Sequence, residues 1–355
     1  MAGTSPAMTT FASAQVETAL KRRGANITAR VTNILAVAAL LIATTLAAAS
    51  PASAQTWPSK PITLVMPYPP GGGTDTMARL ITQKLEPRLG QPVVFDYRPG
   101  AGSAIAATYT SRQPADGHTI LYATSTTMAI NVSVHKNLAY DPTRDLVPIA
   151  QFAVTPFVLV VNPALNVKSI ADLVALSKSK PGGLSYASNG PGGASHLFAE
   201  LLKTMLGIAL THVPYKGNAP ALNDVVAGHV SMMFDPSSAV QLTQQGKLHA
   251  LGVTTAARVS FAPELVPLAE AGVPGFDGTS WHMFVAPGGT PKPILDRLNR
   301  EVDAIIKEPD VAAEFNKRGF MPTGGGSPEQ LAAFVRSEIE RWGKVVRAAG
   351  AAGIE

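Results

Sequence analysis

Apolar positions in the first part of the chain fall into short runs, each followed by a segment with helical spacing. Runs rich in Val, Ile and Leu occupy 62–66, 93–95 and 119–123, and helical patterns follow over 74–89, 103–111 and, as a single turn, 127–131. Strands and helices in alternation are typical of βα units on a parallel sheet. The pattern therefore predicts an α/β fold.

Two long apolar runs, Phe157 to Val161 and Trp281 to Ala286, predict strands that are buried on both faces. Between them we expect strands at 184–187, 211–213, 230–234 and 250–254 and helices at 169–177, 194–206 and 219–227; helices at 291–307, 311–318 and 327–348 follow. Two sets of βα units divided by two buried strands predict two lobes and two crossings. Lobe 1 comprises 55–155 plus 282–355, and lobe 2 comprises 156–281.

The N-terminal region has the features of a secretory signal. A basic stretch contains Lys21, Arg22, Arg23 and Arg30, an apolar run spans 34–49, and the small residues Ala52 and Ala54 follow. The apolar run is shorter than the roughly 20 residues that span a bilayer, so a membrane anchor is the less favoured interpretation. We expect residues 1–54 to be cleaved and the mature protein to be soluble in the periplasm.

Composition excludes several classes of function. The chain has 355 residues, of which 46% are hydrophobic, and a formal net charge of +5 that falls to about +2 without the leader. Without the leader, the chain has no cluster of Lys and Arg residues that would indicate a nucleic-acid interface. Cysteine is absent, which excludes disulfides, thiol nucleophiles, cysteine metal sites and a lipidated cysteine.

Glycine and hydroxyl residues recur where strands end and helices begin. In lobe 1 the segments are 67–75 with Gly71-Gly72-Gly73-Thr74, 97–103 and 123–127; in lobe 2 they are 188–196 and 215–218. Ligands of α/β proteins bind beyond the carboxyl ends of strands. Glycines allow close approach to backbone N–H groups, and a helix N-terminus favours an anion. These loops therefore indicate a site for one or two carboxylates.

Catalytic interpretations have little support. The chain has no phosphate-loop motif and no Gly-x-Ser-x-Gly elbow. No His pair with metal-ligand spacing is present, so we predict neither a metal nor a cofactor. Two ionisable residues keep two interpretations each: Lys216 could pair with a carboxylate or be solvated, and Asp235 could bind a ligand amine or cap a turn.

Other residues near these loops could contact the ligand or could have a purely structural role. Asp75 could face the ligand or interact with the helix dipole in the first turn. His196 could pack or cap rather than bind ligand. Tyr68 and Trp281 could form an aromatic wall, although Trp281 in a buried strand is more often core.

Motifs along the whole mature chain resemble one known family, the Bug-type substrate-binding receptors of tripartite tricarboxylate transporters. The resemblance is carried by Trp57-Pro58-Ser59-Lys60-Pro61-Ile62, Pro67 to Asp75, Arg98-Pro99-Gly100-Ala101-Gly102, Pro114 to Thr119, Ser188-Asn189-Gly190 with His196, His212 to Gly217, and Gly288-Gly289-Thr290-Pro291. Position 68 is more often Phe in the family than the Tyr68 found here.

The resemblance implies a type II periplasmic binding-protein fold that closes over a small carboxylate. It implies di- or tricarboxylates, amino acids or aromatic acids as ligands, transient contact with membrane transporter subunits, and no catalysis. Together, the loops and the resemblance predict these ligand-binding residues: Tyr68, Gly72, Gly73, Thr74, Asp75, Ser125, Thr126, Ser188, Gly190, Ser195, Tyr215, Lys216 and Asp235. We expect a monomer.

Two alternative functions remain at this point. The same fold could present its ligand to a membrane histidine kinase. It could also be a periplasmic enzyme with an activated hydroxyl such as that of Ser195, which would require a general base within hydrogen-bond reach.

Overall fold

The computed structural model describes residues 57–236 and 238–353, together with Leu35 and Ala38. The predicted signal segment, 1–54, lies outside the described residues apart from those two positions. No helix in the described part of the chain has the length and apolar character needed to cross a membrane.

The strands and helices alternate as the hydrophobic pattern predicts. The strands are β1 Ile62–Met66, β2 Val93–Tyr97, β3 Thr119–Thr124, β4 Leu146–Pro156, β5 Val158–Val161, β6 Ser185–Ser188, β7 Thr211–Pro214, β8 Met232–Asp235, β9 His249–Val253, β10 Thr279–Pro287 and β11 Met321–Pro322. The helices are α1 Gly73–Leu89, α2 Ala104–Ser111, α3 Asn131–Val134, α4 Ile170–Ser179, α5 Ala194–Leu206, α6 Asn218–Ala227, α7 Ser238–Gln244, α8 Lys292–Ile306, α9 Pro309–Lys317 and α10 Pro328–Ala348.

The strands form two mixed sheets, one for each lobe. Sheet 1 has the order β11-β4-β10-β3-β1-β2, and sheet 2 has the order β7-β6-β8-β5-β9. In each sheet three neighbouring strands are parallel, and antiparallel strands follow on one side. The predicted two-lobed α/β fold is confirmed, but the sheets are mixed rather than parallel-rich, since four of the nine pairings between the described strands are parallel and five are antiparallel. The lobe boundaries at 155/156 and 281/282 stay a prediction.

The structure corrects several predicted elements. The sequence analysis missed β4, β11 and α7. The strand predicted at 230–234 begins at Met232, and the turn predicted at 127–131 is a π-helical segment, Thr126–Ile130. β4 was missed because Pro148 interrupts its apolar pattern and polar side chains follow at Gln151 and Thr155. Its burial comes from β10, which pairs along its whole length.

The chain passes between the sheets at two segments that are bonded to each other. Phe157 alone separates β4 from β5, and residues 254–278 lead from β9 to β10. The N–H of Phe157 donates to the Thr254 hydroxyl at 2.9 Å, and the N–H of Thr254 donates to the Phe157 carbonyl at 2.9 Å. The Gly278 N–H donates to the Thr254 carbonyl at 2.8 Å. The reciprocal pair brings the two crossings together at one place.

The C-terminal helix α10 contacts both lobes. The ring of Trp342 lies 5.7 Å from that of Phe198 on α5, and Trp281 of β10 packs edge-on against Phe334. Glu338 is only 6% exposed, and one of its oxygens accepts hydrogen bonds from both indoles, at 2.8 Å from Trp281 and 3.0 Å from Trp342. Trp281 is therefore a core residue and not part of an aromatic wall.

A buried histidine lies inside sheet 1 near the crossings. His282 is 4% exposed, and its two ring nitrogens face the Tyr122 hydroxyl at 2.9 Å and the Thr155 hydroxyl at 2.7 Å. Burial lowers the pKa of His282 to about 3 because the charged ring would lose its hydration. The imidazole is therefore neutral at neutral pH, with one nitrogen donating and the other accepting.

We expect the change Glu338→Ala to lower the free energy of unfolding by about 2–6 kcal/mol, because it leaves two buried indole N–H groups without an acceptor. Chemical denaturation measures this value. Glu340→Ala removes an exposed carboxylate from the same helix and is the matched control. Equal stability of the two variants would contradict the assigned role of Glu338.

His282 also makes stability depend on pH. The unfolded state takes up a proton at this residue below about pH 6.5, whereas the folded state does so only near pH 3. Between these values the unfolded state binds more protons, so stability falls as pH falls, by about 1.4 kcal/mol per pH unit. We expect the stability–pH curve of His282→Gln to be flatter by this slope between pH 4 and 6. Parallel curves for wild type and His282→Gln would exclude this role.

Candidate functional site

The predicted loops gather at the carboxyl edges of the two sheets. β3, β1 and β2 are neighbours in sheet 1, and β7, β6 and β8 are neighbours in sheet 2, each trio being parallel. Their following loops therefore lie along one edge of each sheet. Gly192, in the loop after β6, lies against Val134 at the end of α3 in lobe 1, so closely that a Cβ on Gly192 would come 2.9 Å from that side chain.

The first glycine loop opens α1 without a side-chain cap. Gly72 is the N-cap in an extended conformation and supplies no capping group, so the first N–H groups of α1 have no helix acceptor. Thr74 is half-buried in this first turn. Phe320, which follows α9, lies beside Gly73, where a Cβ would come 3.1 Å from the ring. The loop thus combines open backbone donors with an aromatic neighbour.

Asp75 is buried below this loop and is bonded to protein groups through both oxygens. One oxygen accepts from the Gly71 N–H at 3.0 Å and from Arg79 Nε at 3.2 Å, and the other accepts from the Tyr97 hydroxyl at 2.6 Å. Burial opposes ionisation, but the hydrogen bonds from Tyr97, Gly71 and Arg79 outweigh it and hold the pKa of Asp75 below its usual value. The carboxylate is an ionised acceptor at neutral pH.

A chain of hydroxyl groups connects the three loops of lobe 1. The Tyr68 hydroxyl lies 3.4 Å from that of Thr124, which lies 3.4 Å from that of Thr127, and Thr127 lies 2.7 Å from the Ser103 hydroxyl. Burial raises the pKa of Tyr68, so its phenol is neutral. Ser103 has φ +75°, in the left-handed region that side chains rarely adopt. These contacts hold the loops after β1, β2 and β3 in one arrangement.

Ser125 and Thr126 begin the π-helical segment at the end of β3. The Ser125 hydroxyl is buried and lies 3.2 Å from that of Ser280, at the start of β10. Thr126 is half-buried next to Gly102, where a Cβ would lie 3.7 Å from the threonine methyl group. Ser125 therefore connects the third loop to the second crossing.

In lobe 2, Ser188 and Ser195 hold their own loop. The Ser188 hydroxyl accepts from the Gly190 N–H at 3.1 Å and lies 2.7 Å from His212 Nε2. The Ser195 hydroxyl donates to the Asn189 side chain at 2.7 Å and accepts from the Asn189 N–H at 3.0 Å. Both serines are fully buried. Their hydroxyls fix the loop around Gly190.

Three aromatic rings stack beneath this loop. The His212 centroid lies 4.8 Å from that of Tyr186 and 4.2 Å from that of His196, the Tyr186 and His196 centroids are 6.2 Å apart, and the ring planes lie within 13° of one another. His196 Nδ1 accepts from the Gly192 N–H at 3.0 Å. His196 therefore caps the loop, which is the structural role given above as one interpretation. Burial, together with the neighbouring His196, lowers the pKa of His212 to about 4. The stack is uncharged at neutral pH.

The remaining predicted residues of lobe 2 differ in their contacts. The Tyr215 hydroxyl donates to Asp224 at 2.5 Å, which raises the Tyr215 pKa to about 12. One oxygen of the buried Asp235 accepts from the Ala239 N–H at 2.7 Å and so caps α7. Lys216 is exposed, and no ion pair of it occurs among residues 57–236 and 238–353.

This arrangement suits binding rather than catalysis. Ser188 and His212 have the spacing of a nucleophile and its base, but the serine is fully buried and the lowered pKa makes His212 a weak base. Ser195 has an amide partner instead of a base. No group of His, Asp and Glu that could hold a metal occurs in the described segments.

The structure brings most of the predicted residues to these two edges, but whether each contacts ligand stays a prediction. It also adds Phe320, Ser280 and His212 to the neighbourhood, and of these three only His212 belongs to a motif of the sequence, the run His212 to Gly217. No motif marks Phe320 or Ser280, since both reach the site through long-range folding of the C-terminal part of the chain.

Known proteins share both the sequence and the fold. The profile of the TctC family, the tripartite tricarboxylate transporter family receptors, matches residues 77–351. BugT of Bordetella pertussis is 37% identical over 322 residues, which are 90% of this chain and 98% of BugT. A UPF0065 protein from the tcbD-tcbE intergenic region of Pseudomonas sp. strain P51 is 41% identical over 292 residues, 82% of this chain and 86% of its own.

Two solved structures with carboxylates also match. R. palustris Rpa4515 with adipate has a TM-score of 0.75 and 40% identity, and the match covers 83% of this chain and 98% of that protein. MatC of Rhodopseudomonas palustris with bound malate has a TM-score of 0.72 and 33% identity, covering 82% and 100%. The periplasmic binding protein BugD is similar, with a TM-score of 0.72 and 32% identity.

These proteins are solute-binding receptors rather than enzymes, which agrees with a site that has bonded hydroxyls, open backbone donors and no activated nucleophile. The profile match, the BugT relationship and the shared two-lobed fold confirm the resemblance seen in the motifs. The chain belongs to the tripartite tricarboxylate transporter receptor family and is a Bug-type carboxylate-binding receptor.

Proposed function

We propose that this receptor captures an aliphatic dicarboxylate in the periplasm and delivers it to the membrane subunits of a tripartite tricarboxylate-type transporter. One carboxylate binds the first N–H groups of α1, near Gly72, Gly73 and Thr74, and the second binds loops of lobe 2. The observation that carries this proposal is the uncapped N-terminus of α1, on a loop fixed by the buried carboxylate of Asp75.

Charge at the two edges supports recognition through neutral donors. Arg79 is paired with Asp75, and Arg98 with Asp96 at 2.8 Å, so neither guanidinium is an isolated cation. Backbone N–H groups at a helix start stabilise an anion without a formal charge. Such a site can release its ligand, as delivery to a transporter requires.

Comparison with known proteins supports the ligand class. Rpa4515 was solved with adipate and MatC with malate, and both are aliphatic dicarboxylates.

We also propose that the leader directs export and that the receptor is a monomer. Further residues of the two lobes line or shape the proposed site: Tyr68, Ser125, Thr126, Ser188, Gly190, Ser195, Tyr215, Lys216 and Asp235.

Calorimetric titration with a matched ligand series tests the proposed function. Adipate and malate represent the class, and citrate represents the related tricarboxylates; hexanoate lacks one carboxylate of adipate, and adipamide lacks both charges. We expect at least one dicarboxylate to bind and to stabilise the fold by about 2.7 kcal/mol at 100 times its dissociation constant. Hexanoate and adipamide should bind far more weakly. Silence for all di- and tricarboxylates would refute the ligand class.

Thr74→Ala tests the anion site at α1. We expect the variant to lose about 1–3 kcal/mol of binding free energy for the dicarboxylate that wild type binds best, because a donor of the first turn is removed. Thr76→Ala is the control, since the Thr76 hydroxyl donates back to the Gly72 carbonyl at 3.2 Å. Unchanged affinity in Thr74→Ala would remove Thr74 from the site.

A further inference from the structure

The carboxylate of Asp75 is the point where the first glycine loop, α1 and β2 meet. Asp75 is 5% exposed. Its contacts come from three directions: the Gly71 N–H from the loop, Arg79 from the next turn of α1, and the Tyr97 hydroxyl from the end of β2. Both oxygens are therefore engaged by the protein itself.

Gly71 is the residue whose position this carboxylate determines. It has φ +88°, and Gly72 after it turns to an extended conformation before α1 begins at Gly73. Glycine segments lose more conformational freedom on ordering than any other sequence. A loop ordered before the ligand arrives binds more tightly, because ordering no longer opposes binding. The Gly71–Asp75 bond supplies this order at the loop that precedes the open N–H groups.

Charge balance explains why an acid can lie so close to an anion site. An isolated carboxylate there would repel a carboxylate ligand. Arg79 Nε lies 3.2 Å from Asp75, and its Nη2 donates to the Tyr97 hydroxyl at 2.6 Å. The guanidinium also lies 4.4 Å over the Phe95 ring, which holds it in place. The cluster of Asp75, Arg79 and Tyr97 is therefore neutral as a unit.

We propose that Asp75 is a positioning residue: it acts through the Gly71 N–H to hold the first glycine loop ready for the ligand and does not contact the ligand carboxylate. Arg79 balances its charge, and Tyr97 fixes its orientation. The proposal rests on the proposed function for the nature of the ligand. It replaces direct ligand contact as the role of Asp75.

Two variants separate this role from direct contact. Asp75→Asn keeps the shape but removes the charge, so the Gly71 N–H meets at best a neutral amide oxygen, and a hydrogen bond to a neutral acceptor is weaker than one to a carboxylate. Tyr97→Phe keeps the carboxylate but removes the hydroxyl that orients it, so the Gly71 bond keeps its acceptor and loses part of its alignment. Asp96→Asn is the control, because Asp96 lies on the same strand and pairs with Arg98 instead.

Amide hydrogen exchange of Gly71 in the ligand-free protein, followed by NMR, is the first measurement. We expect exchange at least about tenfold faster in Asp75→Asn, intermediate in Tyr97→Phe and unchanged in Asp96→Asn. The second measurement is adipate affinity, which should fall in the same order. Thermal unfolding confirms that each variant is folded. If Asp75→Asn does not fold, the Gly71 exchange rate and the adipate affinity of Tyr97→Phe test the positioning role.

Two results would overturn the positioning role. Unchanged Gly71 exchange in Asp75→Asn with lost affinity would indicate direct ligand contact. Faster exchange with unchanged affinity would show that fixing the loop does not assist binding. If wild type binds no carboxylate, the proposed function fails, whereas the exchange experiment still reports whether Asp75 orders the loop.

Discussion

Reciprocal hydrogen bonds between Phe157 and Thr254 hold together the two passages of the chain between the sheets. The chain leaves sheet 1 through a single residue and returns through a segment bonded to that residue, so the two passages share one position. Each sheet then presents its parallel strand ends along one edge.

Within this frame, side-chain hydroxyls and imidazoles serve mainly to hold backbone. Ser188, Ser195 and His196 bond to their own loop, and Thr127 connects two loops of lobe 1. In the proposed site, binding falls to backbone N–H groups whose directions these side chains help to fix. In an enzyme, by contrast, catalytic hydroxyls and imidazoles would face the substrate instead of bonding to the backbone of their own loop.

Much of the fold could be predicted from the sequence, because local patterns determine it. β1 and α5 have the predicted limits, and the signal is strong since their apolar residues follow a single period. β4 has no such period: prolines and polar residues interrupt it, and its burial depends on β10, more than 120 residues away. A pattern within a short window cannot contain that information.

The site shows the same limit. Glycine loops ahead of helices can be found in the sequence, and Arg79 lies one turn after Asp75, where a helix brings side chains together. Tyr97 and Phe320, however, reach the first loop from another strand and from the C-terminal part of the chain. Sequence therefore predicts the loops and helix starts of the candidate site better than it predicts the side chains that surround them.

The shared carboxylate of Glu338 has a consequence for observing the receptor at work. The chain contains three tryptophans, and two of them donate to this one group beside α5 of the opposite lobe. Indole emission depends on polarity and on nearby charge, so any change in the contacts of Glu338 would alter the fluorescence of both tryptophans. Intrinsic fluorescence therefore reports on this junction without any added dye.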